Sequence, residues 1–210
     1  MKPTPKTLFI PLAFLALAGC AAHPTPYVGK LACCLEAEAP AVFTDKSIYQ
    51  TESTWTTDLR KQIKLGALAG RPQVVVMFFA HCQFACPIIV NDMKRIEAAL
   101  PADVSGRIGF TLVSFDAQRD TPSALAEYRK TRDLPVKGWT LMCGHPDDVL
   151  ELAALLGLSF KETADGQFAH SNVITILNAQ GEIVHQQIGL NQDIHKIVRL
   201  LQELVRTKPS

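Results

Sequence analysis

Two cysteines four residues apart, Cys82 and Cys86, are the residues of this chain best suited to chemistry. They follow an apolar run, QVVVMFFA from Gln73 to Ala80, and Pro87 comes directly after them. The run is typical of a buried strand, and the sequence that follows is typical of a helix. Both thiols are therefore predicted at a helix N-terminus. The partial positive charge there favours the thiolate, which is both the nucleophile of disulfide exchange and a soft ligand for Cu(I). The spacing leaves a redox pair and a metal site open, and two neighbouring core cysteines are the structural alternative.

A histidine far along the chain, His170, could complete a metal site with the two thiols. Oxidoreductases of the thioredoxin type separate their cysteines by two residues and carry a cis-proline before the strand that faces them. This chain has three intervening residues, and the segment GQFAHS precedes the strand-like SNVITIL. His170 therefore stands close to the place of that proline. Two thiolates and an imidazole suit copper, because sulfur holds Cu(I) and nitrogen helps to retain Cu(II). The alternative is a surface or capping histidine at the start of a strand.

The apolar patterns around these residues predict an α/β domain that positions them. Thr121 and Pro122 are expected as N-cap and first residue of a helix. Further elements are strands at 107–116 and 138–143, helices at 120–132, 145–158 and 191–206, a hairpin from SNVITILN and EIVHQQIG, and an early hairpin within 47–58. The order β-α-β-α-β-α-β-β-α indicates a central mixed sheet flanked by helices. It matches a thioredoxin-like fold with an early helix between the central strands.

Composition and charge exclude some partners. The chain has 210 residues, is 48% hydrophobic and 20% charged, and carries a formal net charge of +1. That balance can fill one core, and no basic run or aromatic-basic stripe is present, so nucleic acid is excluded as a predicted partner.

The first residues have the pattern of an export signal. Lys2 and Lys6 precede the apolar stretch LFIPLAFLAL, and LAGC follows, ending at Cys20. The stretch is shorter than the roughly 20 residues that span a bilayer, and LAGC resembles a bacterial lipobox, whose cysteine is lipidated. We predict a lipoprotein signal peptide at 1–19, a flexible Pro- and Ala-rich tether at 20–43 and a folded domain at 44–206. A signal peptide cleaved near Ala22 and an uncut membrane anchor are the alternatives.

Three segments together resemble the Sco/SenC copper chaperones, a family with a thioredoxin-like fold. They are HCQFACP at 81–87, VSFDAQRDTP at 113–122 and AHSNVITIL at 169–177, in the family's order and at similar separations. The resemblance covers about 47–204. It implies copper bound by Cys82, Cys86 and His170. It also implies a role in assembling the copper centre of respiratory cytochrome oxidase, as copper donor, as thiol reductant, or both.

The chain departs from the family pattern at two places beside the site. The loop between the cysteines reads Gln83-Phe84-Ala85 where the family usually has Pro-Asp-Val, and Ala169 stands where the family usually has an acid. A carboxylate that would orient the histidine from position 169 is therefore missing. These changes are expected to alter the affinity for copper or the choice of the client, the protein that receives the copper.

Several other residues are weighed as auxiliaries of the site. Cys143 ends a predicted strand at the same sheet edge, and the vicinal pair Cys33–Cys34 in the tether could lend copper ligands or exchange with the cysteine pair. The alternatives are that Cys143 is simply a buried cysteine and that Cys33 and Cys34 form an incidental or intermolecular disulfide. The segment 113–122 contributes Asp116, Arg119 and Asp120, for which a salt-bridge role is at least as well supported as direct chemistry. His81 could contact copper transiently, Met77 and Met93 fit the apolar core pattern, and His145, His185 and His195 are predicted at the surface.

The hypothesis is therefore a membrane-tethered, extracytoplasmic copper-binding protein on the periplasmic face, anchored in the bilayer through Cys20. Its partner is predicted to be a copper-receiving oxidase subunit or another copper client. The reduced cysteine pair would bind copper and the oxidised pair would not. The rival is an enzyme, a thiol-disulfide oxidoreductase acting on client cysteines. A peroxidase-like relative is a weaker alternative, because Ala80 stands where such enzymes surround the attacking cysteine with hydroxyl and guanidinium groups.

Overall fold

A computed structural model of the chain describes residues 43–164 and 168–207. The strands are β1 Thr54–Thr57, β2 Gln62–Lys64, β3 Gln73–Phe78, β4 Gly109–Ser114, β5 Trp139–Gly144, β6 Phe160–Glu162, β7 Phe168–His170, β8 Val173–Leu177 and β9 Ile183–Ile188. The helices are α1 Ala85–Ala99, α2 Ala102–Ser105, α3 Pro122–Thr131, α4 Pro146–Leu155 and α5 His195–Arg206, with 3₁₀ turns at Ile48–Gln50 and Leu65–Leu68.

Within these residues, seven strands form one mixed sheet in the order β2-β1-β5-β4-β3-β8-β9. The central strands β3, β4 and β5 are parallel. On one side β8 pairs antiparallel with β3 and β9 with β8, and on the other β1 pairs antiparallel with β5 and β2 with β1. Every residue of β3 and β4 is buried, as expected of strands covered by helices on both faces. The predicted mixed sheet flanked by helices is confirmed.

Local signals set the ends of several helices where the sequence indicated. The hydroxyl of Thr121 accepts the N–H of Ala124 and caps α3, with Pro122 in its first turn. Gly157 follows α4 with φ of +64°, a conformation that glycine adopts without strain. The helix α5 buries Ile197, Val198, Leu201 and Val205 as one apolar face. Met77 and Met93 lie in the core.

The early hairpin predicted within 47–58 is wrong. The hydroxyl of Ser47 accepts the N–H of Tyr49 at 3.1 Å and caps a 3₁₀ turn, which buries Ile48 and Tyr49. Only the second half of the stretch is a strand, β1, and its partners are β2 and β5. Core contacts of the first half outweigh the strand preference of its residues, because burial of two large side chains is worth more than local propensity.

At the site end of the sheet, one detail agrees with the prediction and one differs from it. The helix α1 begins at Ala85, two residues before Pro87, which is tolerated there because the first-turn N–H groups have no partner inside the helix. A separate pair of short antiparallel strands, β6 and β7, precedes β8, and His170 ends β7.

A buried ion pair fastens α3 to the sheet. The Arg129 guanidinium donates through Nε and Nη2 to the two oxygens of Asp58, at 2.5 and 3.0 Å. Its remaining donors reach the carbonyls of Pro135 and Trp139. Both side chains are buried, so the pair is shielded from water and salt.

Candidate metal centre

The loop between β3 and α1 presents both thiols to the same space. The N–H of Cys82 donates to the carbonyl of Phe79 at 3.2 Å, which closes a turn directly after the strand. Cys86 lies in the first turn of α1, and its N–H donates to the Cys82 sulfur at 3.3 Å. The side chain of Phe84 supplies no cap for this helix. The unpaired first-turn N–H groups are therefore available to a thiolate at Cys82.

The two thiols have opposite acidities. The hydrogen bond from the Cys86 thiol is the largest influence that lowers the pKa of Cys82 to about 4, helped by the N–H groups of Cys86 and Phe84 and by His170, and opposed by burial. The same hydrogen bond, with burial, raises the pKa of Cys86 far above its usual range. The reduced pair thus consists of a Cys82 thiolate and a Cys86 thiol that donates to it.

His170 faces the sulfurs with its Nε2 atom. That nitrogen lies 3.8 Å from the Cys86 sulfur, and the other ring nitrogen, Nδ1, lies 3.2 Å from the carbonyl oxygen of Ser171. Because a carbonyl oxygen only accepts, Nδ1 is the donor in this contact, which leaves Nε2 as the ring atom that faces the thiols. This carbonyl gives the imidazole a hydrogen-bond acceptor in a chain that has no carboxylate at position 169.

The three donor atoms fit one metal ion. The sulfurs of Cys82 and Cys86 and a ring nitrogen of His170 all lie within 4.8 Å of one another. Donors sharing one ion at bond lengths of about 2.0–2.3 Å stand roughly 3.5–4 Å apart, so only small rotations of the side chains are needed. Two sulfurs and one imidazole form a soft donor set with room for a further ligand, the kind of site that suits copper.

A wall of phenylalanines packs against the histidine and was not predicted from the sequence. The His170 ring lies 5.1 Å from the Phe115 ring and 6.1 Å from the Phe79 ring, measured between centroids. Phe160 and Phe168 of the β6–β7 pair pack on Phe115 in turn. The wall fixes the orientation of the imidazole and lowers the polarity around it. The phenylalanines are visible in the sequence, but their pairing joins segments some 45 residues apart or more, as the residue numbers show.

The segment after β4 supports the cysteine loop. Asp120 accepts the N–H of Ala80 at 2.8 Å and the hydroxyl of Ser114 at 2.6 Å. This ties the entry of the cysteine loop to the end of β4. Burial raises the pKa of Asp120, and these two hydrogen bonds act against that rise. Asp116 pairs with Arg119 at the same end of the sheet, so both acids have the salt-bridge or anchoring contacts that their motif indicated.

Other residues singled out in the sequence lie apart from the three donors. Cys143 is on the same sheet edge, but its sulfur faces the carbonyl of Thr56 at 3.6 Å, and burial raises the pKa of its thiol. Phe84, between the two cysteines, is 79% exposed. Cys20, Cys33 and Cys34 fall outside the described residues. His145 and His195 are exposed, and His185 is half-buried.

Among the described helices, none has the length and apolar character needed to cross a bilayer.

Comparison with known proteins gives consistent matches. The family model of SCO1/SenC matches residues 45–206. A protein of Stutzerimonas stutzeri named as copper-binding is 27% identical over 120 residues, covering 55% of this chain and 57% of that relative. The match therefore spans little more than half of the relative's length.

Solved structures share the fold. A SCO1/SenC family lipoprotein of Bacillus anthracis has a TM-score of 0.67 at 19% identity, covering 73% of this chain and 92% of the other. BsSco, a Sco-family cytochrome c oxidase assembly protein in which a disulfide switch was identified, has a TM-score of 0.64 at 19% identity, covering 74% and 92%. Yeast Sco1 with copper bound has a TM-score of 0.62 at 19% identity, covering 75% and 88%. At these identities the likeness establishes the fold, which is the thioredoxin-like fold predicted from the sequence.

Proposed function

Because the chain belongs to the SCO1/SenC family, we propose that it is a copper-binding protein whose ion is held by Cys82, Cys86 and His170. The observation that carries the proposal is the convergence of the three donors, which lie within 4.8 Å of one another, with Nε2 of His170 3.8 Å from the Cys86 sulfur. Relatives named as copper-binding or solved with copper bound support the choice of metal. Copper is cargo here, and cytochrome oxidase or another copper protein is its proposed recipient, as the name of BsSco's family supports.

Redox state is proposed to control copper binding. In the reduced pair the Cys82 thiolate already offers a sulfur lone pair to the metal. Cys86 becomes a second thiolate ligand by releasing its thiol proton to solvent as the metal binds. A disulfide between the two removes both thiolates, and His170 alone is a weak site. Two-electron oxidation of the pair by an external disulfide therefore releases copper, and reduction of the pair by an external dithiol restores the site.

The chain is further proposed to work outside the cytoplasm, tethered to the membrane. The sequence pattern of residues 1–19 and the cysteine at position 20 support an export signal and a lipid anchor, and residues 20–43 would link the anchor to the domain at 44–206. A lipoprotein in the same family agrees with this arrangement. Metabolic labelling with a radioactive fatty acid tests it: the wild-type chain should be labelled and Cys20→Ala should not.

Copper titration tests the ligand assignment. The full chain, purified in detergent and reduced, is titrated with Cu(I) in competition with a chelator of known affinity. We expect Cys82→Ser, Cys86→Ser and His170→Ala each to weaken binding by at least tenfold. The matched controls are Cys143→Ser and His185→Ala, a cysteine and a histidine outside the three donors. Equal affinity of wild type and His170→Ala would refute the assignment of the histidine.

A second candidate function, reduction of client disulfides, is favoured by the acidity of Cys82. Its thiolate would attack one sulfur of a client disulfide, forming a mixed disulfide and expelling the other client sulfur as a thiolate. Cys86, giving its proton to that leaving sulfur, would then attack Cys82 and release the second client thiolate. The client gains two electrons and the Cys82–Cys86 pair becomes a disulfide, which an external dithiol must reduce.

The two functions separate at His170, which the disulfide reaction does not use as a ligand. If the protein is mainly a reductase, His170→Ala should keep most of its reduction rate toward a small disulfide, and copper uptake by the wild type should be weak. If it is mainly a copper carrier, the wild type should bind copper tightly and reduce disulfides slowly.

A further inference from the structure

A second group of donor atoms lies beside the first but uses different chemistry. A ring nitrogen of His81 and one carboxylate oxygen from each of Asp116 and Asp120 lie within 4.8 Å of one another. His81 is the residue before Cys82, yet its side chain is 55% exposed, whereas the two carboxylates are buried at the end of β4. The two carboxylates therefore form the buried side of the group, and the imidazole lies on its solvent side.

One oxygen in this group is unused. Asp120 Oδ2 accepts the N–H of Ala80 and the hydroxyl of Ser114, which satisfies that atom. The other oxygen, Oδ1, is fully buried and accepts no hydrogen bond within the described structure. It lies 3.4 Å from Nδ1 of His81. A buried carboxylate oxygen that accepts no hydrogen bond is uncommon in folded proteins and needs an explanation, and a cation bound between it and the imidazole would supply one.

The charges of the group also favour a cation. Asp116 accepts the backbone N–H of Arg119 at 3.2 Å and pairs with its guanidinium. A carboxylate has about four lone-pair positions, so Asp116 keeps capacity for another partner. The group holds two carboxylates, and the Arg119 guanidinium pairs with only one of them, Asp116, so oxygen acceptors outnumber donors at the buried end of the group. The exposed imidazole leaves a route by which an ion and its water ligands could enter.

We propose that His81, Asp116 and Asp120 form a second metal site, for a divalent cation of borderline hardness such as Zn²⁺ or Cu²⁺. One imidazole and two carboxylates are ligands typical of such ions, and the open solvent side leaves positions for water. The donor set contains no sulfur and therefore does not favour Cu(I), the ion suited to the neighbouring thiols. The proposal does not depend on copper binding by the cysteines.

Zinc alone is the probe, because it has no redox chemistry with the thiols. The full chain carrying Cys82→Ser and Cys86→Ser, purified in detergent, is dialysed against buffered Zn²⁺ and its bound metal is counted. Adding His81→Ala, which changes an exposed side chain, should remove one zinc per chain or weaken it at least tenfold. Asp120→Asn should do the same, and its circular dichroism spectrum shows whether the fold is kept. Zinc held elsewhere, including by other cysteines, is common to all these chains and cancels in the comparison.

The matched controls are His145→Ala and Asp147→Asn. These residues also form a histidine–aspartate pair, with Nδ1 and Oδ2 3.6 Å apart, but both side chains are exposed. We expect both controls to bind as much zinc as their parent. Unchanged zinc binding after His81→Ala, or an equal loss in the controls, would overturn the proposal. If the serine background does not fold, the same four substitutions are compared in the wild-type chain, where zinc held by the cysteine pair is again common to all chains.

Discussion

The acidity of Cys82 makes a quantitative prediction about thiol reactivity. With its pKa lowered from 9.0 to about 4, Cys82 is about 99% thiolate at pH 6, whereas a thiol of pKa 9.0 is about 0.1% thiolate, roughly a thousandfold difference. Intrinsic nucleophilicity falls with pKa, at a Brønsted coefficient of about 0.4–0.5, which over five units costs roughly 100- to 300-fold. The net gain in rate at pH 6 is only about three- to tenfold. The diagnostic quantity is therefore the pH at which reactivity changes, and not the rate itself.

Site-resolved alkylation measures that pH. The reduced chain is treated with iodoacetamide between pH 3.5 and 9.5, and modification of each cysteine is followed by mass spectrometry of peptides. We expect the rate at Cys82 to be flat from about pH 5 to 9 and to fall only near pH 4. Cys143, whose pKa burial raises, is the internal control, and its rate should fall tenfold per pH unit throughout the range below 8.

Removal of the donor tests the cause of the shift. Cys86→Ala deletes the hydrogen bond that is the largest contribution to the low pKa, so the inflection of Cys82 should move upward, while Cys143→Ala should leave it in place. A wild-type inflection between pH 8 and 9, or an inflection indifferent to Cys86→Ala, would refute this account of the pair.

Further predictions concern stability and redox control. Asp58→Ala leaves the buried Arg129 guanidinium without its carboxylate and should lower the free energy of unfolding by about 3–5 kcal/mol, or the Tm by roughly 6–20 °C for a domain of this size. Adding Arg129→Met should recover part of the lost stability. Equal Tm values for the single and double variants would contradict the coupling. Gly181→Ala should destabilise the fold by more than about 1 kcal/mol in chemical denaturation, since Gly181 has φ of +84° and a Cβ there would meet the Tyr49 ring at 2.4 Å. The control is Gly106→Ala, because a Cβ added at that position would meet nothing within 4 Å. Oxidation of the cysteine pair should abolish copper uptake, and a dithiol should restore it; copper binding that survives a verified disulfide would rule out the proposed gate.

The sequence was sufficient for the elements whose signals are local or strongly periodic. The strands β3 and β4 were predicted because each is an unbroken apolar run, and the cap of α3 because Thr121 and Pro122 form a start signal on their own. The juxtaposition of the two cysteines with the histidine could be anticipated from the order of elements and the family resemblance. The hairpin expected within 47–58 is wrong because Ile48 and Tyr49 are buried in a 3₁₀ turn, and β1 pairs instead with β2, just beyond that stretch, and with β5.

Other parts of the site depend on contacts that no local pattern encodes. The strands β6 and β7 have three residues each, too few for a period to show, and their phenylalanines pack on Phe115 of the distant β4 segment. The unused oxygen of Asp120 results from how one carboxylate is turned between β3 and β4. The orientation of the His170 ring depends on the path of the backbone after β7, which brings the carbonyl of Ser171 to Nδ1 and is not encoded in a local residue pattern.

The hydrogen bond from His170 Nδ1 to the carbonyl of Ser171 has a consequence for mutational robustness. Every amino acid at position 171 would supply the same carbonyl oxygen, so no point substitution there deletes the group itself. A carboxylate at position 169, by contrast, can be lost through a single codon change. In this chain the orientation of the histidine is inherited from the course of the main chain, so position 169 is free to vary while the histidine keeps its acceptor.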